Sequence, residues 1–219
     1  MKSTGVIYSY RRVRRMKFFG QGLLFTSIFI ILYLFLPIGM VELRYALQKQ
    51  EDPAVAQTQV ADTTKADIQR EAGVHNLSSY FSIFIPQIDA KANITPNVPL
   101  TDFQAALSKG VAHAAGTYFP GQGKTIYLFA HSTDSPLNFA RYNAVFYLLY
   151  KLRPHDQIVL YFLDTKYVYE IQGKVIAEAT DTSWLTRDVG TETVILQTCD
   201  PPGTTLRRLL IIATRVPHA

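Results

Sequence analysis

Covalent acyl chemistry at neutral pH needs a nucleophile, a group to manage its proton, and a donor for the oxyanion that forms. The chain holds one cysteine, Cys199, in the run VILQTCDPPGTTLRRLLI, residues 194–211. Two adjacent arginines, Arg207 and Arg208, follow it across a Pro-Pro-Gly turn. A guanidinium is permanently charged and carries several donors. Beside a thiol it favours the thiolate, or binds the oxyanion formed when that thiolate attacks a carbonyl. The competing reading is a buried, inert cysteine with surface arginines.

Five histidines are candidates for the proton-handling partner. His75 lies in a polar stretch and His218 next to the C-terminus. His155 sits in RPHDQ, a turn, and His113 in the Gly-rich GVAHAAGTYFPGQGK. His131 differs: it ends the apolar run TIYLFA and opens the polar turn STDSP. A strand end places a side chain on a rim held by a rigid sheet. A solvated turn histidine is the alternative there.

The elements that must position these groups are legible as patterns. In 193–199, Val194, Leu196 and Thr198 share one strand face, and Thr193, Ile195, Gln197 and Cys199 the other. The first face suits a core and the second is partly open. Asp200-Pro-Pro-Gly forces a turn, so residue 207 or 208 returns beside Cys199. Strand parity does not choose between them, because 209–213 is apolar on both faces. Further strands are predicted at 81–86, 91–95, 125–131, 157–163, 166–172, 174–178 and 207–215. Helices are predicted at 101–108 and at 139–152, where Phe139, Tyr142, Val145, Phe146 and Leu149 recur at helical spacing. Many strands and few helices imply an all-β barrel or sandwich of roughly 140 residues.

The N-terminal part reads differently. Formal charge is +5 over 219 residues. Lys2, Arg11, Arg12, Arg14, Arg15 and Lys17 all precede the first acidic residue, Glu42, leaving 16 basic residues against all 17 acids. The rest of the chain is therefore near neutral, and no nucleic-acid surface is needed to explain the charge. From Phe18 to Val41 no residue is charged. As a helix, ~24 residues span about 36 Å, enough for a hydrocarbon layer of ~30 Å. A cleaved signal peptide would have a shorter apolar region and a small-x-small site. The expected organisation is a cytoplasmic basic tail (1–17), a transmembrane anchor (18–41), an extracytoplasmic linker (42–79) with some helix in its Ala/Gln/Lys parts, and a catalytic domain (80–219). The RRVRR cluster places the N-terminus inside and the domain outside. In an oxidising compartment an odd cysteine is a crosslink or a free reactive thiol.

TIYLFAHSTDS, followed some 70 residues later by TCDPPG…RRLLIIAT, resembles the sortase family of cysteine transpeptidases. GVAHAAGTYFPGQGKTIYLFAHS is similar to that family's approach to its histidine strand. FARYNAVFYLLYKLRPHDQIVLYFLDTKYVYEI is similar to its helix, turn and following hairpin, and IFIPQIDAKANI to its first strands. The resemblance covers ~80–216. It implies a closed eight-stranded β-barrel with one or two short helices behind an N-terminal transmembrane helix. It implies Cys199 as nucleophile, His131 as general acid/base, and an oxyanion arginine, Arg208, with Arg207 the alternative. Thr198, Gln197 and Trp184 are candidate substrate contacts, with 173–192 a groove wall. Phe129 and Gln197 depart from the family pattern in bulk or polarity. Asp52-Pro53 resembles the lid of pilin-assembling members, but the expected aromatic is missing.

The implied reaction cleaves a sorting motif of the Leu-Pro-x-Thr-Gly kind through a thioacyl enzyme. The protein substrate is then transferred to an amine on a cell-wall precursor or a pilin lysine. No cofactor is demanded, and no metal set accompanies Cys199 and His131. Two rivals stand beside this reading. One is another peptidoglycan-directed Cys/His transpeptidase, whose Ser-His-Gly-Cys signature is absent here. The other is an inactive anchored module that binds sorting motifs or scaffolds pili.

Overall fold

The computed structural model describes residues 24–33, 36, 39–40, 42–43, 46, 65–101, 103–132 and 144–217. Two units separate, Met1–Leu43 and Arg44–Ala219. In the first, residues 24–33 are helical. Among the described residues no helix is long and apolar enough to cross a membrane. Much of the expected anchor at 18–41, the Asp52-Pro53 motif and His218 lie outside the described residues.

The second unit is built from eight strands: β1 Phe81–Ile85, β2 Ala90–Val98, β3 Val111–Ala114, β4 Thr125–Phe129, β5 Gln157–Phe162, β6 Thr165–Glu178, β7 Thr193–Asp200 and β8 Arg207–Arg215. They close into a barrel in the order β1-β2-β3-β4-β7-β8-β6-β5. Closure leaves no exposed sheet edge. The pairs β2·β3 and β4·β7 are parallel and the rest antiparallel. The expected closed eight-stranded barrel is thus the observed one.

Alternation sorts the side chains. Ile126, Leu128, Val194, Leu196, Leu209 and Ile211 are buried on one face. Their neighbours Tyr127, Phe129, Ile195 and Leu210 form a second cluster, joined by Ala106 and Leu107 of a short helix, α2 (Gln104–Leu107), and by Trp184 and Leu185 of the β6–β7 connection. A face covered by a helix and a loop is the outside of the barrel, so the first set fills its interior.

Three elements differ from the sequence expectation. VAHA is a strand, β3, where a Gly-rich loop was expected. Its alanines are weak strand formers, but they let the barrel wall pack closely against α2. The two expected strands at 166–172 and 174–178 are one, with a register shift between Ile171 and Gly173. The helix expected at 139–152 is a single 3-10 turn, Tyr147–Lys151, and 139–143 lie outside the described residues. Phe146, Leu149 and Leu152 are fully buried. Their spacing of three is the repeat of a 3-10 helix, whose side chains eclipse every third residue.

Within the expected linker a helix, α1 (Lys65–Val74), packs on the barrel. Its Ile68 and Ala72, with Leu77, bury against Val159 and Tyr161. Glu71 accepts from Tyr161 Oη at 2.8 Å and from Lys166 Nζ at 2.6 Å.

Candidate active site

The ends of three neighbouring strands converge. β4 and β7 run parallel, with Phe129 level with Gln197. The paired register ends there; His131 follows two residues beyond Phe129, as Cys199 follows two beyond Gln197. The join is held by Ala130 N–H donating to Gln197 O at 3.2 Å and by Thr198 Oγ1 donating to Ala130 O at 3.1 Å. His131 is half-buried at the rim.

On the other side of Cys199, β8 returns antiparallel with Arg208 directly opposite it. The turn between them uses Pro201-Pro202-Gly203, with Gly203 at φ 80° and Thr204 N–H donating to Pro201 O at 3.1 Å. That left-handed position suits glycine. Arg208 Nη1 lies 3.8 Å from Cys199 Sγ and donates to Thr205 O at 3.3 Å and Arg207 O at 3.1 Å. Arg207 is engaged elsewhere: its Nη2 donates to Asp200 Oδ2 at 2.9 Å. The geometry therefore separates the two arginines, which sequence parity did not.

Cys199 is free of any disulfide and half-buried. Burial pushes its thiol pKa up, and the nearby Arg208 charge pulls it down by less. The sequence expectation was that the guanidinium would favour the thiolate. Here desolvation wins, because it acts on the whole thiol while one cation 3.8 Å away offsets only part of it. The resting sulfur is a thiol whose proton must be removed.

The remaining candidates fall in distinct places. Gln197 is half-buried on the outer face and accepts from Tyr127 Oη at 2.6 Å. Thr198 is on the inner face and only 3% exposed, and its hydroxyl ties the strand to Ala130 O. Trp184 stands on a 3-10 turn, Ser183–Leu185, in the β6–β7 connection. It packs against the outer-face cluster, donates Nε1–H to Asp181 Oδ2 at 3.1 Å, and is stacked by Arg187. Lys124 pairs with Asp188, and Thr125 Oγ1 donates to Arg187 O at 2.5 Å, which ties this connection to β4.

The other described histidines do other work. His113 is fully buried, with Nε2–H donating to Tyr118 O at 2.9 Å and Nδ1 accepting from Asn97 N–H at 3.3 Å. Burial lowers its pKa and keeps it neutral. His75 stacks on Phe84 and His155 meets Glu170. Among the described residues no three His, Cys, Asp or Glu side chains are grouped to hold a metal ion.

A cysteine and an arginine thus face each other across adjacent strand ends, and a histidine follows the end of the neighbouring parallel strand. The model of the Sortase domain matches residues 83–216. The chain belongs to the sortase family. It is 30% identical over 135 residues to Sortase D of Bacillus subtilis (strain 168), an alignment spanning 60% of this chain and 61% of that protein. Among solved structures it is similar to sortase C1 from Streptococcus suis, with 28% identity and a TM-score of 0.53 over 71% of this chain and 81% of that one. It is also similar to a lid mutant of sortase A from Corynebacterium diphtheriae, with 25% identity and a TM-score of 0.54 over 70% and 80%.

Proposed function

We propose that the chain is a cysteine transpeptidase that cleaves an extended sorting motif of the LPxTG kind and passes the acyl half to an amine. The observation that carries this is Arg208 directly opposite Cys199 across β7 and β8, its Nη1 3.8 Å from Sγ, with His131 two residues beyond the last position of β4 paired to β7. His131 takes the thiol proton as Sγ attacks the scissile carbonyl. Arg208 faces the carbonyl oxygen as it becomes an oxyanion. His131 then gives the proton to the leaving amine, and a thioester remains on Cys199. An incoming amine attacks the thioester, loses its proton to His131 and releases the thiol. Cell-wall precursors and pilin lysines are the acceptor classes that the family likeness supports.

The uncharged run 18–41 and the basic tail before it support a membrane anchor with the barrel on the extracytoplasmic side. The helical residues 24–33 carry exposed Leu24, Phe25, Ile28, Phe29, Ile30, Ile31 and Leu32. A helix apolar on all sides suits lipid better than water.

The test is transfer. The full-length chain is incubated with a panel of sorting-motif peptides and an added amine, and the acyl–amine product is followed. Product that disappears in Cys199→Ala supports the enzyme. Tight peptide binding without product transfers the assignment to an inactive binding module.

A further inference from the structure

The two poles of the barrel differ. β4 and β7 end at the pole that carries Cys199, whereas β5 ends, and β1 and β6 begin, at the other. That far pole exposes Tyr80 (62%), Leu163 (52%) and Tyr118 (47%). They form one patch. Leu163 N–H donates to Tyr80 O at 2.9 Å, and Phe162, the last residue of β5, stacks on Phe119 with ring centroids 5.2 Å apart. Tyr118 precedes Phe119, and its N–H donates to Thr125 O at 3.0 Å, at the foot of β4. Leu163 and Asp164 make the two-residue β5–β6 turn, at φ 49° and 60°. A turn left-handed at both positions favours Asn and Gly, and an exposed leucine gains nothing there from packing.

Single exposed apolar residues are ordinary, but a contiguous group marks a contact surface. Two observations point to lipid. First, the charged groups around the patch are matched within the chain: Lys124 with Asp188, Lys166 with Glu71, and Arg215 with Glu192. A balanced rim around tyrosines and a leucine suits the membrane–water interface, where amphipathic rings sit at headgroup level. It offers no net charge to steer an acidic or basic partner. Second, the chain enters the barrel at this pole. Asp164 accepts from Gln69 and lies in the field of Lys65, the first residue of α1. The 21 residues 44–64 separate Lys65 from the unit that holds the uncharged run. At no more than ~3.6 Å per residue, the covalent reach from Leu43 to Lys65 is at most about 80 Å. A tether this short keeps the effective concentration of an anchoring bilayer high at the patch, so a small contact suffices.

We propose that the far pole is a lipid-docking surface, with Tyr80, Tyr118 and Leu163 entering the headgroup layer of the bilayer that holds the anchor. The Cys199 pole then faces away from the lipid, toward protein substrates and amine acceptors. This inference rests on the membrane-anchor reading, and the test separates the two.

The experiment uses the full-length chain carrying Cys199→Ala, reconstituted in phosphatidylcholine vesicles that contain nitroxide-labelled lipid. A fluorophore is placed on a single cysteine at one of four sites. Leu163→Cys and Tyr118→Cys lie on the patch, Leu206→Cys in the exposed turn at the catalytic pole, and Phe29→Cys in the apolar helix. Insertion by ~5–10 Å into the interface should quench the patch labels about threefold more than the Leu206→Cys label. With the charges paired, anionic lipid or high salt should change that quenching by less than about twofold. Tyr80→Ser combined with Leu163→Asn should bring the Tyr118→Cys label down to the Leu206→Cys level. The same pair should leave Tm unchanged or higher, since Asn suits the turn. Equal quenching at the two poles overturns the proposal, as does patch quenching that appears only with anionic lipid. So does a patch label that lipid leaves bright but a second labelled copy quenches as the protein-to-lipid ratio rises. A quenched Phe29→Cys label beside unquenched patch labels overturns docking and leaves the anchor standing. Quenched patch labels beside an unquenched Phe29→Cys label uphold docking and contradict the anchor alone.

Discussion

Strand β7 is finished in opposite ways at its two ends. Just before its first residue, Glu192 is buried with both carboxylate oxygens engaged. It takes Gly121 N–H at 3.0 Å, Gly123 N–H at 2.9 Å and Tyr169 Oη at 2.7 Å, and Arg215 Nη1 lies 3.4 Å away. At the other end Cys199 has one neighbouring donor, Arg208, at 3.8 Å, and a thiol that burial holds protonated. A buried carboxylate with several donors is held for stability. A half-buried thiol with one cation 3.8 Å away is far less committed. The same strand thus anchors the barrel at one end and, in the transpeptidase proposal, presents the nucleophile at the other.

The sharpest break in this comparison is at the Glu192 end. Glu192→Ala would orphan two backbone N–H groups and the Tyr169 hydroxyl, and should cost about 3–5 kcal/mol of stability. Chemical denaturation should show that loss, while the rate per folded molecule stays near wild type. Arg208→Ala should do the reverse. Removing one oxyanion donor costs kcat on the order of 10²–10³-fold, with little change in Tm because, apart from the long contact to Cys199 Sγ, Arg208 donates to neighbouring carbonyls of its own turn. Alkylation of Cys199 at fixed pH should also slow in that variant, since the Arg208 charge is what pulls the thiol pKa down.

A smaller effect comes from His113, which is held neutral inside the barrel. Its folded pKa lies below 6.5, so the unfolded chain takes up a proton first as pH falls. Stability from this source is intact above about pH 6.5 and declines below it, by at most about 1.4 kcal/mol per pH unit, until the native ring titrates. The decline of Tm between about pH 6.5 and 5 should be shallower in His113→Asn than in wild type. The smallest effect belongs to Arg207→Ala. It removes a half-exposed pair with Asp200 and should change stability by less than about 1 kcal/mol. Activity should change by no more than a few-fold, in contrast to Arg208→Ala.

What the sequence made legible was local. The alternation in Thr193–Cys199, the Pro-Pro-Gly turn and the return of an arginine need only period-two patterning and turn chemistry. β3 was hidden because its alanines have poor strand propensity, and its place is set by pairing with β2 and β4. The Glu192 hub was hidden because its donors are scattered over Gly121, Gly123, Tyr169 and Arg215, joined only by barrel closure. The Tyr127–Gln197 contact spans 70 residues and depends on the parallel register of β4 and β7. Strand parity left Arg207 and Arg208 open, the family resemblance favoured Arg208, and the observed cross-strand partners set Arg208 opposite Cys199. Helical spacing at 139–152 misled because a spacing of three also fits a single 3-10 turn.

The most direct measurement is an acid-quenched intact-mass and peptide-mapping experiment on the full-length chain mixed with a sorting-motif peptide and no amine. The account predicts a mass increase equal to the acyl half of the peptide, mapped to Cys199 and released by added amine. Peptide cleaved without an adduct, or an adduct mapped to any other residue, would contradict it.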